Sequence, residues 1–389
     1  YCYRLMGEND EALDLFIRAY ELESKCSTIE PQDMASLLNN LAIVYKAKCD
    51  YANAEKCFLK SIELYQKANM QFNVEFANPC NNLGDMYRML GNFSDAYRYI
   101  SFSLEIRRNT SGEEHEYFAN ALNNIGLLCF EMGNYDEAEK CFLRCEEIYK
   151  AKLGENNDRS AAILNQLGSL YAEKKDYKKA LDYKSKCLQL MEKTVGKQND
   201  RYAMFLSGKG SVQYRMKDYD GAVKSYKESV EIFKNNFGTE NYNYLDMMHS
   251  LAFIYDRTGN DKESRACHLK SIYGYKKVVT DNLAFMGDEE RTMFYVSNTG
   301  KFETFERFVI KGILEKPEAK DDSLLKALVD ERLWSKSLLL NESSSMFKNI
   351  NNTSDTTVRN LFKQWYDQKK NLHQMYQFSK EELEAININ

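Results

Sequence analysis

The sequence predicts an all-α chain: a solenoid of paired helices, followed by a further helical region. Three observations predict it. A small residue returns every 42 positions without a break, as Ala12, Ala54, Ala96, Ala138, Ala180, Ala222 and Ser264. Two further ladders keep the same register. One stands twelve residues upstream, as Ala42, Gly84, Gly126, Gly168, Gly210 and Ala252. The other stands seven downstream, as Ala19, Ser61, Ser103, Cys145, Cys187, Ser229 and Ser271. Only three prolines occur in 389 residues, which suits a chain made almost wholly of helices. A fixed period of this length marks a stack of supersecondary units, each coupled to its neighbours.

Within a unit the first helix shows apolar residues at i, i+3, i+4 and i+7, as in Leu38, Leu41, Ala42 and Tyr45, the spacing of one helix face. An aromatic slot near its end reads Tyr3, Tyr45, Tyr87, Cys129, Tyr171, Gln213 and Tyr255. Turns follow, as Lys48-Cys49-Asp50, Leu90-Gly91-Asn92, Met132-Gly133-Asn134, Lys175-Asp176, Lys217-Asp218 and Thr258-Gly259-Asn260. Gly-Asn and Asp punctuate helices because they tolerate left-handed backbone. The second helix then carries the other two ladders. Small residues fall where the two helix backbones cross too closely for a larger side chain.

Seven such units, the first truncated, fill residues 1–281. Counting back from the ladders puts Tyr1 inside the first helix of its unit, so the chain is expected to continue upstream. The period stops after Ser271. In 282–389 helical apolar spacing persists, as Phe302, Phe305, Phe308 and Val309, but no small ladder returns. Polar stretches at 315–322 and 341–357 read as loops. Leu361, Trp365, Leu372 and Tyr376 form one apolar stripe near the end.

The segment ASLLNNLAIVYKAKCDYANAEKCFLKSIELY (35–65) resembles the tetratricopeptide repeat. The usual repeat is shorter, about 34 residues, and the longer unit resembles that of kinesin light chains; this resemblance implies a right-handed superhelical solenoid. Repeat 7 departs from the pattern: Asp261 replaces the turn aromatic, Ser264 the alanine and His268 the phenylalanine. Terminal repeats are often atypical. The last hundred residues resemble the helical bridge that joins such repeats to a CHAT domain in bacterial proteins. The matching elements are Asn282 to Arg291, Leu333 to Asn341 and Phe378 to Leu383. This resemblance implies a caspase-like cysteine protease domain in cis, with its His/Cys dyad downstream of Asn389. Some members of that family are protease partners in type III-E CRISPR systems, where the repeats dock on an RNA-guided effector ribonucleoprotein. A free-standing peptide-binding adaptor is the alternative from another class.

Composition narrows the function further. A formal net charge of −5, with 53 Lys and Arg against 58 Asp and Glu, offers no general attraction for nucleic acid. No apolar run reaches membrane length and no signal peptide is visible. The ten cysteines fall mainly on packing positions: Cys57, Cys141 and Cys267 share one, Cys145 and Cys187 another, and Cys129 takes the aromatic slot. Buried reduced thiols and a cytoplasmic location are expected. No C-x-x-C pair, Gly-rich phosphate loop or zinc signature occurs. The histidines, His115, His249, His268 and His373, accompany no nucleophile motif. No catalytic, cofactor-binding or metal-binding residue is expected in this chain.

Binding is the better expectation. The first helices of such repeats line a concave groove, to which Asn78, Asn81, Asp85 and Arg88 of repeat 3 contribute. Asn120, Asn123, Leu127 and Phe130 follow in repeat 4, then Ala162, Asn165, Ser169 and Ala172 in repeat 5. The column Asn81, Asn123 and Asn165 offers donors and acceptors to the backbone of an extended peptide or protein segment. The same residues also read as consensus that ties neighbouring repeats together, and both readings stay open. Trp334 and Trp365 mark a second surface, which more often packs as core than meets a partner.

Overall fold

The computed structural model describes residues 9–24, 30–47, 50–70, 73–282, 300–311, 324 and 326–331. Every regular element among them is a helix, and the chain divides into two compact units, 1–278 and 279–389. Among the described residues, thirteen long helices run between 9 and 282. They are α1 (Asn9–Ser24), α2 (Pro31–Ala47), α3 (Tyr51–Lys67), α4 (Ala77–Met89), α5 (Phe93–Ser111), α6 (Glu116–Glu131), α7 (Tyr135–Leu153), α8 (Asp158–Glu173), α9 (Tyr177–Thr194), α10 (Asp200–Arg215), α11 (Tyr219–Phe237), α12 (Tyr242–Arg257) and α13 (Asp261–Asn282). Even-numbered helices are the first of each repeat and odd-numbered ones the second. Each packs on its neighbours in sequence, and first helices also meet: α2 with α4, α4 with α6, α8 with α10.

The repeat builds its own boundaries. Asp50, Asn92, Asp176 and Asp218 precede the second helices, and each side chain accepts a bond from the backbone N–H three residues on. That bond satisfies an otherwise orphaned donor of the first turn. First helices start similarly on Asn157, Asn199 and Asn241. The turn between the two helices passes through positive φ at Gly91, Gly133 and Gly259, and also at Lys175 and Lys217.

The small ladders mark the crossing of paired helices. A Cβ on Gly84 would lie 2.6 Å from Ile100, one on Gly126 2.7 Å from Phe142, and one on Gly168 2.9 Å from Lys184. Only hydrogen fits there. The third ladder has a polar use as well. Ser61, Ser103 and Ser229 donate to the carbonyls of Ala35, Ala77 and Ala203 at 2.6–2.8 Å, and the Cys145 thiol meets the carbonyl of Ala119 at 3.2 Å. Apolar residues fill the space between the layers, among them Phe58, Tyr65, Phe76 and Leu83, then Phe142, Ile148, Leu167 and Leu170.

In the second unit a helix over 300–311 buries Phe302, Phe305 and Val309, and a short one over 326–331 buries Ala327. Trp334 and Trp365, and most of the bridge expected over 282–389, lie outside the described residues.

Candidate protein-binding groove

The even-numbered helices stand side by side, and most of the polar residues expected to face a partner also bond within the solenoid, some inside a repeat and some across a repeat boundary. Asn78 accepts from Arg107 at 3.0 Å, and Asn120 accepts from the Tyr149 hydroxyl at 2.6 Å. Both are bonds within one repeat, between the first helix and the second. The same two positions pair in repeat 2, as Ser36 and Tyr65 at 2.7 Å, and in repeat 7, as Tyr275 donating to Asp246. In repeats 5 and 6 both members are apolar, Ala162 with Met191 and Met204 with Phe233. Asp85 and Arg88 belong to a chain of ion pairs across three repeats. Lys46 meets Asp85 at 2.9 Å, Asp85 meets Arg88 at 2.8 Å, and Arg88 continues to Glu131. Burial raises the Asp85 carboxyl, but the two cations outweigh it and leave it below the usual range.

The amide column is directional. Asn82 Nδ2 donates to Asn39 Oδ1 and Asn124 Nδ2 to Asn81 Oδ1, both at 3.0 Å and both across a repeat boundary. The Asn123 oxygen is buried without a partner. The Asn165 oxygen accepts from Lys184 Nζ at 2.7 Å. The Nδ2 atoms of Asn81, Asn123 and Asn165 have no partner among the described residues and are not buried. The column therefore presents N–H donors at the spacing of the repeats, with its acceptors turned inward. Such a row matches the carbonyl or carboxylate oxygens of an extended segment.

Beneath this column the sequence reading singled out His268 in the phenylalanine position of repeat 7 but missed Lys184 and Tyr226 in the same column. Sixteen positions beyond each Gly or Ala of the second ladder, the second helix places one large side chain in the gap. In repeats 2 to 4 it is Phe58, Ile100 or Phe142; in repeats 5 to 7 it is Lys184, Tyr226 or His268. Lys184 is 3% exposed, and Nζ donates to Asn165 O at 2.9 Å, to Asn165 Oδ1 and to Ser169 Oγ at 2.8 Å. Ser169 thus shares this cluster with Asn165. Burial pushes the amine down to about 8. The Tyr226 hydroxyl faces Ser211 and Ser250. The His268 ring, 1% exposed, stands 6.3 Å from that of His249, and burial with the neighbouring imidazole lowers it to about 4. The signal was available, since three polar residues break an aromatic and aliphatic column in consecutive repeats.

Among the described residues the cysteine thiols are shifted away from the reactive thiolate form. Burial, first among the causes, raises Cys57 and Cys267 to about 11 and Cys80, Cys141 and Cys187 to about 12. A nucleophilic thiol needs the opposite shift. Among the described residues no three His, Cys, Asp or Glu side chains gather as metal ligands, and no helix is long and apolar enough to cross a membrane.

A solenoid of helical pairs is the architecture of a repeat-based interaction module. The tetratricopeptide repeat family matches residues 1–67, 75–151, 117–193 and 201–277, more than half of the chain, and the chain belongs to that family. Among solved structures, BtubC (BKLC) from P. vanneervenii is similar at a TM-score of 0.50 and 18% identity, over 59% of this chain and 93% of that one. The apo form of RapI is similar at a TM-score of 0.55 and 16% identity, over 72% and 95%. A putative kinesin light chain of Podosopora anserina, with nearly identical TPR-like repeats, aligns at a TM-score of 0.44 and 16% identity, over 51% and 94%. At these identities the likeness shows the fold. No curated protein sequence matches the chain. Repeats of this family are typically protein-interaction modules and generally non-catalytic.

Proposed function

We propose that this chain is a protein-binding and regulatory module that receives an extended segment of a partner along the inner face of repeats 3 to 5. The observation that carries this reading is the outward row of Nδ2 donors on Asn81, Asn123 and Asn165, held on first helices that ion pairs and amide bonds lock in register. A preformed row of donors spares the ordering cost that a flexible surface would incur. The chain does no chemistry of its own in this reading. The resemblance of 282–389 to a helical bridge supports a CHAT-type caspase-like protease domain as the neighbour in cis. An RNA-guided CRISPR effector is the docking partner implied by one branch of that resemblance.

The test begins with that effector and the full chain, by isothermal titration. Asn81→Ala together with Asn123→Ala should weaken the complex at least tenfold, since each lost bond to a buried group costs about 1–3 kcal/mol. Helix content should be retained. Equal affinity for the double variant would remove the groove from the reading. Absence of binding to the effector would remove that partner and leave the groove to be tested with other protein segments.

A further inference from the structure

We propose that the groove floor where repeat 5 meets repeat 6 is a subsite for an acidic side chain of the bound segment, held by the Asn165 amide above the buried Lys184 ammonium. This deepens the groove reading given above and rests on it. Three observations converge on one spot. The first is a cation without a counter-ion. All three bonds of Lys184 Nζ go to neutral oxygens, those of Asn165 and Ser169, and no carboxylate pairs with it. A buried charge compensated only by dipoles gains from an arriving opposite charge far more than a solvated one does.

The second observation fixes the direction of Asn165. A lysine can only donate, so the atom facing it must be the amide oxygen, which leaves Nδ2 facing outward without a partner. An anion in the groove therefore meets an N–H whose amide is polarised by the cation below. The third is an opening. The column that supplies the cross-repeat amide reads Asn40, Asn82, Asn124 and Gln166, and then Gly208. A Cβ at 208 would stand 3.2 Å from Lys184 Nζ and 3.5 Å from Asn165 Oδ1. At this junction the side chain that would have capped Asn165 is missing, and the lysine supplies the donor from beneath. Among the first-helix cations nearby, Arg88 is paired with Asp85 and Glu131, and Arg215 with Glu173, whereas Lys209, the residue after Gly208, is half-buried and carries no ion pair among the described residues. Lys184 differs from Lys209 in bonding directly to the Asn165 amide oxygen.

The test uses the full chain and a fluorescein-labelled hexaglutamate peptide, acetylated and amidated at its ends, read by fluorescence anisotropy at low ionic strength. Hexaglutamine of the same design is the neutral comparison. Binding of hexaglutamate alone is expected, with at least a tenfold loss in Lys184→Met. Lys186→Met, which removes the same charge from an exposed site two residues away, should bind as the parent does. Gly208→Ala, which closes the opening without altering charge, should also weaken binding and serves should Lys184→Met fail to fold. No binding of hexaglutamate, equal binding of hexaglutamine, or equal losses in Lys184→Met and Lys186→Met would overturn the proposal. If the Asn81 and Asn123 changes release a partner while Lys184→Met does not, the groove stands and only the acidic subsite falls.

Discussion

Lys184 occupies the gap that Phe58 and Phe142 fill in other repeats, and its amine is released from its proton near pH 8 rather than near its ordinary 10.5. The unfolded chain keeps that proton up to about pH 10.4. Between these values the unfolded state binds more protons, so stability rises with pH across the window. Below pH 8 the folded state carries the full cost of the buried cation, about 3 kcal/mol. Urea denaturation of the parent and of Lys184→Met should therefore diverge most at pH 7, to the disadvantage of the parent. The gap should narrow toward pH 10.5, and a gap independent of pH would show that the amine is not buried as charge. Gly126 makes the complementary point. With Phe142 2.7 Å from a hypothetical Cβ, Gly126→Leu must part α6 from α7, and overpacking of this kind costs about 1–3 kcal/mol. An unchanged denaturation midpoint would contradict the crossing. The glycine was legible in the sequence because its role is its absence of a side chain, repeated every 42 positions. Lys184 was not, because a lysine within a helix reads as solvent-facing until the crossing beneath it is known.

Helix boundaries followed from the sequence because each is set by one or two residues. The Asp and Asn that open the second helices bond to their own first turns, and the apolar spacing fixes the rest. A further 42-residue row, Gly112, Gly154, Gly196 and Gly238 at the ends of α5, α7, α9 and α11, is as regular as the ladders that were read. It marks the turn between repeats, whereas the ladders mark the crossing within one. The turn within the repeat carries a testable irregularity. Lys175 and Lys217 take φ of 63 and 64, the conformation that Gly91, Gly133 and Gly259 take in their own repeats. Left-handed backbone costs a residue with a Cβ about 1–2 kcal/mol. Glycine adds unfolded-state entropy worth about 0.4–1 kcal/mol in the other direction. Lys175→Gly should thus stabilise by about 0.5–1 kcal/mol net of these terms, and Lys217→Gly by a similar amount, both visible as raised thermal midpoints. A lowered midpoint in both would mean that the lysine side chains contribute contacts that outweigh the strain.

At the scale of the molecule, stability comes from repeats joined in line, and the joints are where sequence reading met its limit. Aligning the repeats compares a residue with its counterpart in the next unit. The bonds that couple them run between different positions: Asn82 reaches Asn39 and Asn124 reaches Asn81, each 43 residues apart and not 42. An amide ladder therefore looks like a row of free groove residues until the backbone shows which atoms meet. The fold was legible because period and small residues dictate it, whereas the division of each asparagine between joint and groove depends on one amide orientation. Asn124→Ala isolates the joint between repeats 3 and 4, because it removes the donor and leaves the outward Nδ2 of Asn81 in place. The direct cost should be modest, about 1 kcal/mol for one such bond. In a linear array, however, unfolding stays concerted only while the interfaces outweigh the differences between units. Weakening one interface should let the repeats on its two sides unfold over a wider span of urea, which reads as a lower apparent m-value. Hydrogen exchange should then show helices α2 to α5 and helices α7 to α11 losing protection at different urea concentrations. A simple shift of midpoint with an unchanged slope would show instead that this amide bond does not carry the coupling, which then rests on the helix packing and the ion pairs through Asp85, Arg88 and Glu131.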